Sequence, residues 1–248
     1  MELYSLFTAA VIMIASFFAT VSGFGFALVA TPVLSLFMET KEAVVFVLMS
    51  GFVLRLITMI KNRNSFEWST VMTVTAGSLL GIIPGSIALK LIGSSQLEIF
   101  LGMVLLLAAY LMGKDVRFKI TNKNIGRITA GFFSGFFGSA TSVSGPPLVL
   151  YFINEDMEKD LMRSNMIWSF GLNGTLMLIG SYLAGTMDCI AADPFVAAIG
   201  IVALVAGWWI GETMFYRLNQ HLFRRLALIG VCGGAIGMLY NGIKSVLM

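Results

Sequence analysis

The 248-residue chain is 58% hydrophobic and 12% charged, with a mean hydropathy of +0.90 and a formal net charge of +3. A soluble domain carries about twice that charged fraction, and the longest uncharged runs approach the roughly 20 residues that cross a bilayer. A water-soluble enzyme is therefore excluded, as is the alternating pattern of a membrane β-barrel. One histidine and two distant cysteines, Cys189 and Cys232, leave no composition for a metal centre. No cofactor is expected, and the basic residues lie in loops where topology accounts for them without nucleic acid.

In chain order, an apolar tract covering about Leu3–Phe37 comes first, interrupted at Gly23-Phe24-Gly25-Phe26 and again at Thr31-Pro32. Its Met1-Glu2 opening lacks the positive region of a cleavable signal, so it is expected to belong to the mature fold. Continuous spans are expected at Ala43–Ile60, Trp68–Leu91 and Leu97–Met112. After a basic linker comes a second interrupted tract, Arg127–Ile153, holding Gly135-Phe136-Phe137-Gly138 and Ser144-Gly145-Pro146-Pro147. Spans at Met162–Ala184, Phe195–Phe215 and Phe223–Val246 complete the chain.

The two interrupted tracts correspond. A shift of 115 positions lays Gly23 on Gly138 and Pro32 on Pro147. If each tract crossed the membrane once, Lys and Arg would divide 8 to 7 between the two sides. If each enters and leaves by one side, the division becomes 12 to 3, with only Lys41, Lys90 and Lys244 in the minority and Arg55, inside a span, left out. The positive-inside rule favours the second arrangement. The expected fold is thus an all-α polytopic membrane protein of two inverted repeats, each a broken, re-entrant helical hairpin plus three transmembrane helices. Residues 1–113 form the first repeat, 114–126 a cytoplasmic linker and 127–248 the second repeat, with both termini non-cytoplasmic.

Matching Gly/Pro-interrupted segments in two halves point to a transporter's binding site. Thr31 with Pro32, and Ser144 or Gly145 with Pro146, have the grammar of helix starts. Gly23 and Gly25 permit the backbone angles such a turn needs. Two helix N-termini facing one another at mid-membrane make an anion site, to which Thr20, Ser22, Thr31, Ser139, Thr141, Ser142 and Ser144 add hydroxyls. Arg55 is the one charged residue well inside a span, and either faces the cavity or snorkels toward the end marked by Lys61. Asn165 and Asn173 share a helix face with Ser169 and are further candidates; Trp168 reads as an interfacial anchor. Gly77, Gly81 and Gly85, and Gly207 and Gly211, recur every fourth residue and read as helix-packing faces, within the chain or in an oligomer.

The Gly23–Leu34 tract, the Gly131–Leu150 tract with Ser142-Val143-Ser144-Gly145-Pro146-Pro147, and Arg163-Ser164-Asn165 resemble the TauE/SafE sulfite exporter family of membrane transporters. The resemblance implies export of sulfite or a small organosulfonate, such as sulfoacetate, across the bacterial inner membrane. Gly23, Gly25, Thr31, Arg55, Thr141, Ser142, Ser144, Gly145, Asn165 and Asn173 are the expected substrate-binding residues. An importer or channel for other small anions is the alternative. With Glu98 and Glu212 at span ends and no Asp or Glu near the middle of a span, export driven by the membrane potential is expected rather than a carboxylate proton relay.

Overall fold

The computed structural model describes residues 2–61, 66–113, 122–155, 157–187, 194–214 and 220–247. These form α1 (Glu2–Ser22), α2 (Phe26–Leu34), α3 (Thr40–Lys61), α4 (Trp68–Leu91), α5 (Ser94–Gly113), α6 (Lys123–Thr141), α7 (Gly145–Asn154), α8 (Lys159–Ala184), α9 (Pro194–Met214) and α10 (Gln220–Leu247). Among the described residues every regular element is helical. Within α3, α4, α5 and α8 lie segments long and apolar enough to cross a membrane. The six segments expected as continuous spans coincide with the helices α3, α4, α5, α8, α9 and α10, with ends within a few residues; Phe215 lies outside the described residues.

Both interrupted tracts fold back on themselves. The Phe7 ring in α1 lies 4.5 Å from that of Phe37, just beyond α2. At the other hairpin, Tyr151 Oη in α7 donates to Lys123 O at 3.3 Å, and Lys123 pairs with Glu155 at 3.3 Å. Each hairpin has a long and a short arm: α1 and α6 have 21 and 19 residues, α2 and α7 only 9 and 10. At 1.5 Å per residue the short arms span about 14–15 Å, half of a 30 Å hydrocarbon core.

The breaks follow the glycine and proline pattern only in part. The first is at Gly23 (φ 79°) and Gly25 (φ 107°), so Thr31 and Pro32 fall inside α2 rather than at its start. A left-handed backbone is cheap for glycine alone, whereas Pro32, seventh of the nine residues of α2, leaves the Leu28 carbonyl without its donor and crowds it near the helix end. In the second tract Gly131, Gly135 and Gly138 stay helical, and the chain breaks at Ser142–Ser144, with α7 starting at Gly145 as expected. Asn122 Oδ1 accepts from the N–H groups of Asn124 (3.0 Å) and Ile125 (3.3 Å) and starts α6 at Lys123.

Why the glycines remain helical is evident from their neighbours. A Cβ on Gly131 or Gly135 would lie 2.1 or 2.2 Å from the carbonyl oxygens of Val74 or Ser78. On the facing helix, Gly77, Gly81 and Gly85 would meet the carbonyls of Ile128, Phe132 and Phe136 at 2.3, 2.0 and 2.4 Å. Ser78 Oγ bridges the seam to Gly131 O at 3.0 Å. A second parallel seam joins α1 to α9: Gly207 would meet Met13 O at 2.1 Å, and Ser16 Oγ donates to Leu204 O at 2.7 Å. The opposite face of α4 carries Leu79, Leu80, Ile83, Ile87 and Leu91, all exposed. Small residues inward and large apolar residues outward is the pattern of a helix solvated by lipid.

Charge separates along the bundle axis. Lys61, Lys123, Arg127 and Arg163 lie toward one end, here called the basic end, where α3 finishes and α4, α6 and α8 begin. Lys41 donates to Lys90 O at 3.2 Å at the other end, where Gly242 of α10, just before Lys244, abuts Ser95.

Because Gly81→Ala places a Cβ against backbone, it should lower stability by about 1–3 kcal/mol. Gly93→Ala, whose nearest neighbour is the Gln96 side-chain oxygen at 3.8 Å, should be near neutral. Thermal unfolding of the two purified variants checks the ranking.

Candidate functional site

Between the two breaks lies a cavity of about 60 Å³. One wall is the first break, Gly23 to Gly25, with the opening turn of α2; the facing wall is Ser142 to Gly145. Arg55 of α3 and Arg163 of α8 also line it. The tips interlock: a Cβ on Gly145 would lie 3.2 Å from the Phe24 ring, and Thr31 Oγ1 and Ser142 Oγ share a hydrogen bond of 2.6 Å.

The positive character of this cavity has two sources. Gly25 caps α2 without a side-chain hydrogen bond, leaving first-turn N–H groups of the kind that carry about half a positive charge at a helix N-terminus. α7 presents a second N-terminus at Gly145, with fewer donors, because Pro146 and Pro147 carry no N–H. The other source is guanidinium charge. Arg55 Nη2 donates to Ser144 Oγ at 3.4 Å, while its Nη1 is buried without a hydrogen-bond partner. A Cβ on Gly174 would lie 2.7 Å from that Nη1, so the side chain crosses α8 where a glycine lets it pass. Arg55 thus faces the cavity and does not snorkel to the basic end.

Ser142 is the one non-glycine residue with positive φ (62°) among the described residues. It ends α6 in the left-handed region, where an L-residue costs roughly 1–2 kcal/mol, and its hydroxyl is anchored to Thr31. Strain of this kind persists where surrounding contacts over-determine the backbone. Ser134 Oγ, donating to Ser144 O at 2.8 Å, fixes the tip from below.

Of the ten expected residues, Gly23, Gly25, Arg55, Ser142, Ser144 and Gly145 line the cavity. Thr31 sits one layer behind, on Ser142. The other three do not reach it. Thr141 Oγ1 donates to Phe137 O at 2.6 Å and accepts from Val143 N at 3.3 Å, holding its own turn. Asn165 Oδ1 accepts from Glu67 N at 2.8 Å, at the entry to α4. Asn173 is buried away from the cavity, with neither amide atom hydrogen-bonded. Trp168 stacks on Phe66 with centroids 4.2 Å apart, in an aromatic cluster with Trp68. Sequence reasoning counted Arg163 toward topology and toward the family resemblance but not as a site residue; the signal available was a basic residue just inside the start of a span. Among the described residues no group of His, Cys, Asp and Glu is placed to hold a metal ion.

The family model for the sulfite exporter TauE/SafE matches residues 8–238. A curated protein of Cupriavidus necator, named a probable sulfite/organosulfonate exporter TauE, is 26% identical over 232 residues, covering 87% of each chain. No solved structure matches the chain.

Ser142→Ala keeps the strained backbone and loses the bond to Thr31, a loss of about 1 kcal/mol. Ser142→Gly loses the same bond but relieves the strain, and should stay within about 0.5 kcal/mol of wild type. Chemical denaturation of both variants tests that order.

Proposed function

The chain belongs to the sulfite exporter TauE/SafE family and is a membrane transporter; on that premise we propose that it exports sulfite or small organosulfonate anions across the bacterial inner membrane. The observation that carries the reading is the small cavity on which two helix N-termini and the unpartnered Arg55 Nη1 converge. Orphan N–H groups and a guanidinium together recognise an oxyanion. The volume narrows the cargo: about 60 Å³ is far below the 300–1,000 Å³ of sites for drug-sized ligands. It suits an inorganic oxyanion or a sulfonate with a very short carbon chain.

In this reading Gly23, Gly25 and Gly145 bring backbone close to the anion, Ser142 and Ser144 offer hydroxyls, and Arg55 supplies charge. Thr31 holds Ser142 in place. The two halves are read as inverted repeats. In support, exchanging α1 with α6 and α4 with α9 turns one glycine seam into the other, and the α3–α8 and α5–α10 pairs map onto themselves. The basic end is assigned to the cytoplasm by the positive-inside rule, which leaves both termini outside. An interior-negative potential then expels each unit of negative charge with about 2.3 kcal/mol per 100 mV, sufficient to drive export without a coupled ion.

Proteoliposomes loaded with radiolabelled sulfite, under an imposed potential of either sign, test the reading. Saturable efflux that follows the sign of the potential is expected. Flux that is electroneutral and strictly dependent on a pH gradient would overturn the proposed driving force, and non-saturating flux without counterflow would make the protein a channel. Arg55→Gln should reduce efflux about tenfold or more, the loss expected for a charge-assisted hydrogen bond. Ser144→Leu, which fills the tip, should abolish efflux while the folded protein is still recovered.

A further inference from the structure

The second guanidinium of the cavity is held by a carboxylate that resembles the proposed cargo. Arg163 lies in the second turn of α8, beside the first break, with its Cγ 3.7 Å from where a Gly23 Cβ would stand. Its Nη2 donates to Thr20 O at 3.5 Å and to Glu212 Oε1 at 3.4 Å. The other oxygen of the same carboxylate, Oε2, accepts from Lys61 Nζ at 2.9 Å. The Glu212 side chain is 12% exposed and that of Lys61 52%, so the carboxylate is the buried member of this pair. Both Arg163 contacts lie at the long limit for a hydrogen bond, whereas the Lys61 contact is of normal length. Glu212 is anchored by Lys61 and only leans on Arg163. No Asp or Glu is among the residues that line the cavity; Glu212 reaches Arg163 from behind the lining.

We infer that Arg163 is a second anion ligand and that Glu212 is its tethered competitor, holding Arg163 while the cavity is empty and yielding it to an incoming oxyanion. The inference rests on the anion-carrier reading above. A carboxylate and a sulfite or sulfonate offer the same kind of anionic oxygen to a planar guanidinium, and a single positive charge already paired with Glu212 attracts a second anion less strongly. When the substrate takes Arg163, Glu212 retains Lys61, so the exchange leaves no buried charge bare.

The exchange reaches beyond the side chains. Glu212 and Thr20 belong to α9 and α1, which the glycine seam joins, whereas Arg163 belongs to α8. Loading the cavity releases the tie between α8 and the α1–α9 pair, and emptying it restores the tie. Apparent affinity is lowered by the fraction of molecules in which Glu212 occupies Arg163.

The test is a double-mutant cycle read as KM for sulfite in proteoliposomes. Glu212→Gln should lower KM severalfold in the wild-type background and leave it unchanged in an Arg163→Gln background, whose KM is itself raised. Glu212→Asp keeps the charge but shortens the reach, and should also lower KM. An equal effect of Glu212→Gln in both backgrounds, or wild-type behaviour of Glu212→Asp, would reduce Glu212 to a general electrostatic influence and overturn the proposal. The same proteins are titrated with methanesulfonate while thermal unfolding is followed, a binding readout that does not require sulfite to be carried. Absence of sulfite flux in wild type, with the methanesulfonate cycle behaving as expected, retires the sulfite assignment and leaves the Arg163–Glu212 competition standing. A methanesulfonate midpoint that Glu212→Gln shifts equally in both backgrounds overturns the competition whether or not sulfite is carried.

Discussion

A helix that ends in the interior of a membrane protein leaves N–H groups that lipid cannot satisfy, and this chain ends two of them within one small volume. The constraint dictates much of the rest. α2 begins at Gly25 with no side chain capping it, so its opening turn must be covered by protein. The second tip provides that cover: Phe24 lies over Gly145, and Thr31 is bonded to Ser142. Donors left over after this mutual burial face the cavity between the tips. The cavity proposed to hold the anion thus lies where two broken helices are made tolerable in a low-dielectric surrounding. That surrounding also strengthens each charge–dipole interaction relative to water.

Position follows from the glycine seams. α6 carries the second tip and is joined to α4 at backbone-to-backbone distance; α1 carries the first and is joined in the same way to α9. Each tip is therefore fixed to a helix from the other half of the chain. With little hydrophobic driving force between helices in lipid, close approach and van der Waals contact must supply the cohesion, and side chains larger than hydrogen would prevent it. Arg55 and Arg163 come from a different pair, α3 and α8. The cavity consequently sits where three packed pairs meet, an arrangement in which small relative movements alter the distances between tips and guanidinium groups.

Electrostatics ties the site to the basic end. The short arms are each about half a hydrocarbon core long, and Arg163, Glu212 and Lys61 form a chain of ion pairs from the cavity edge to the bundle end. The two cations differ in exposure, 21% for Arg163 and 52% for Lys61, with the carboxylate between them at 12%.

The membrane class, the six continuous spans, the correspondence of the two broken tracts and the glycine faces were all legible in the sequence. The bilayer imposes them in one dimension, through run length, charge placement and four-residue spacing. Charge counting even favoured the fold-back geometry that the Phe7–Phe37 and Tyr151–Lys123 contacts display. Where each helix breaks was decided only in three dimensions: Gly135 and Gly138 look like breakers in isolation, yet stay helical, and Gly135 must be glycine because the Ser78 carbonyl occupies the space a Cβ would need. Thr31-Pro32 has the grammar of a helix start, yet the left-handed backbone at Gly23 and Gly25 starts α2 earlier. Tertiary structure likewise turned Arg55 inward across Gly174, assigned Asn165 to Glu67, and brought Glu212 to Arg163 across 49 positions of chain. Residue spacing reports on a helix and its solvent, whereas a hydrogen-bond partner on another helix depends on how the helices pack.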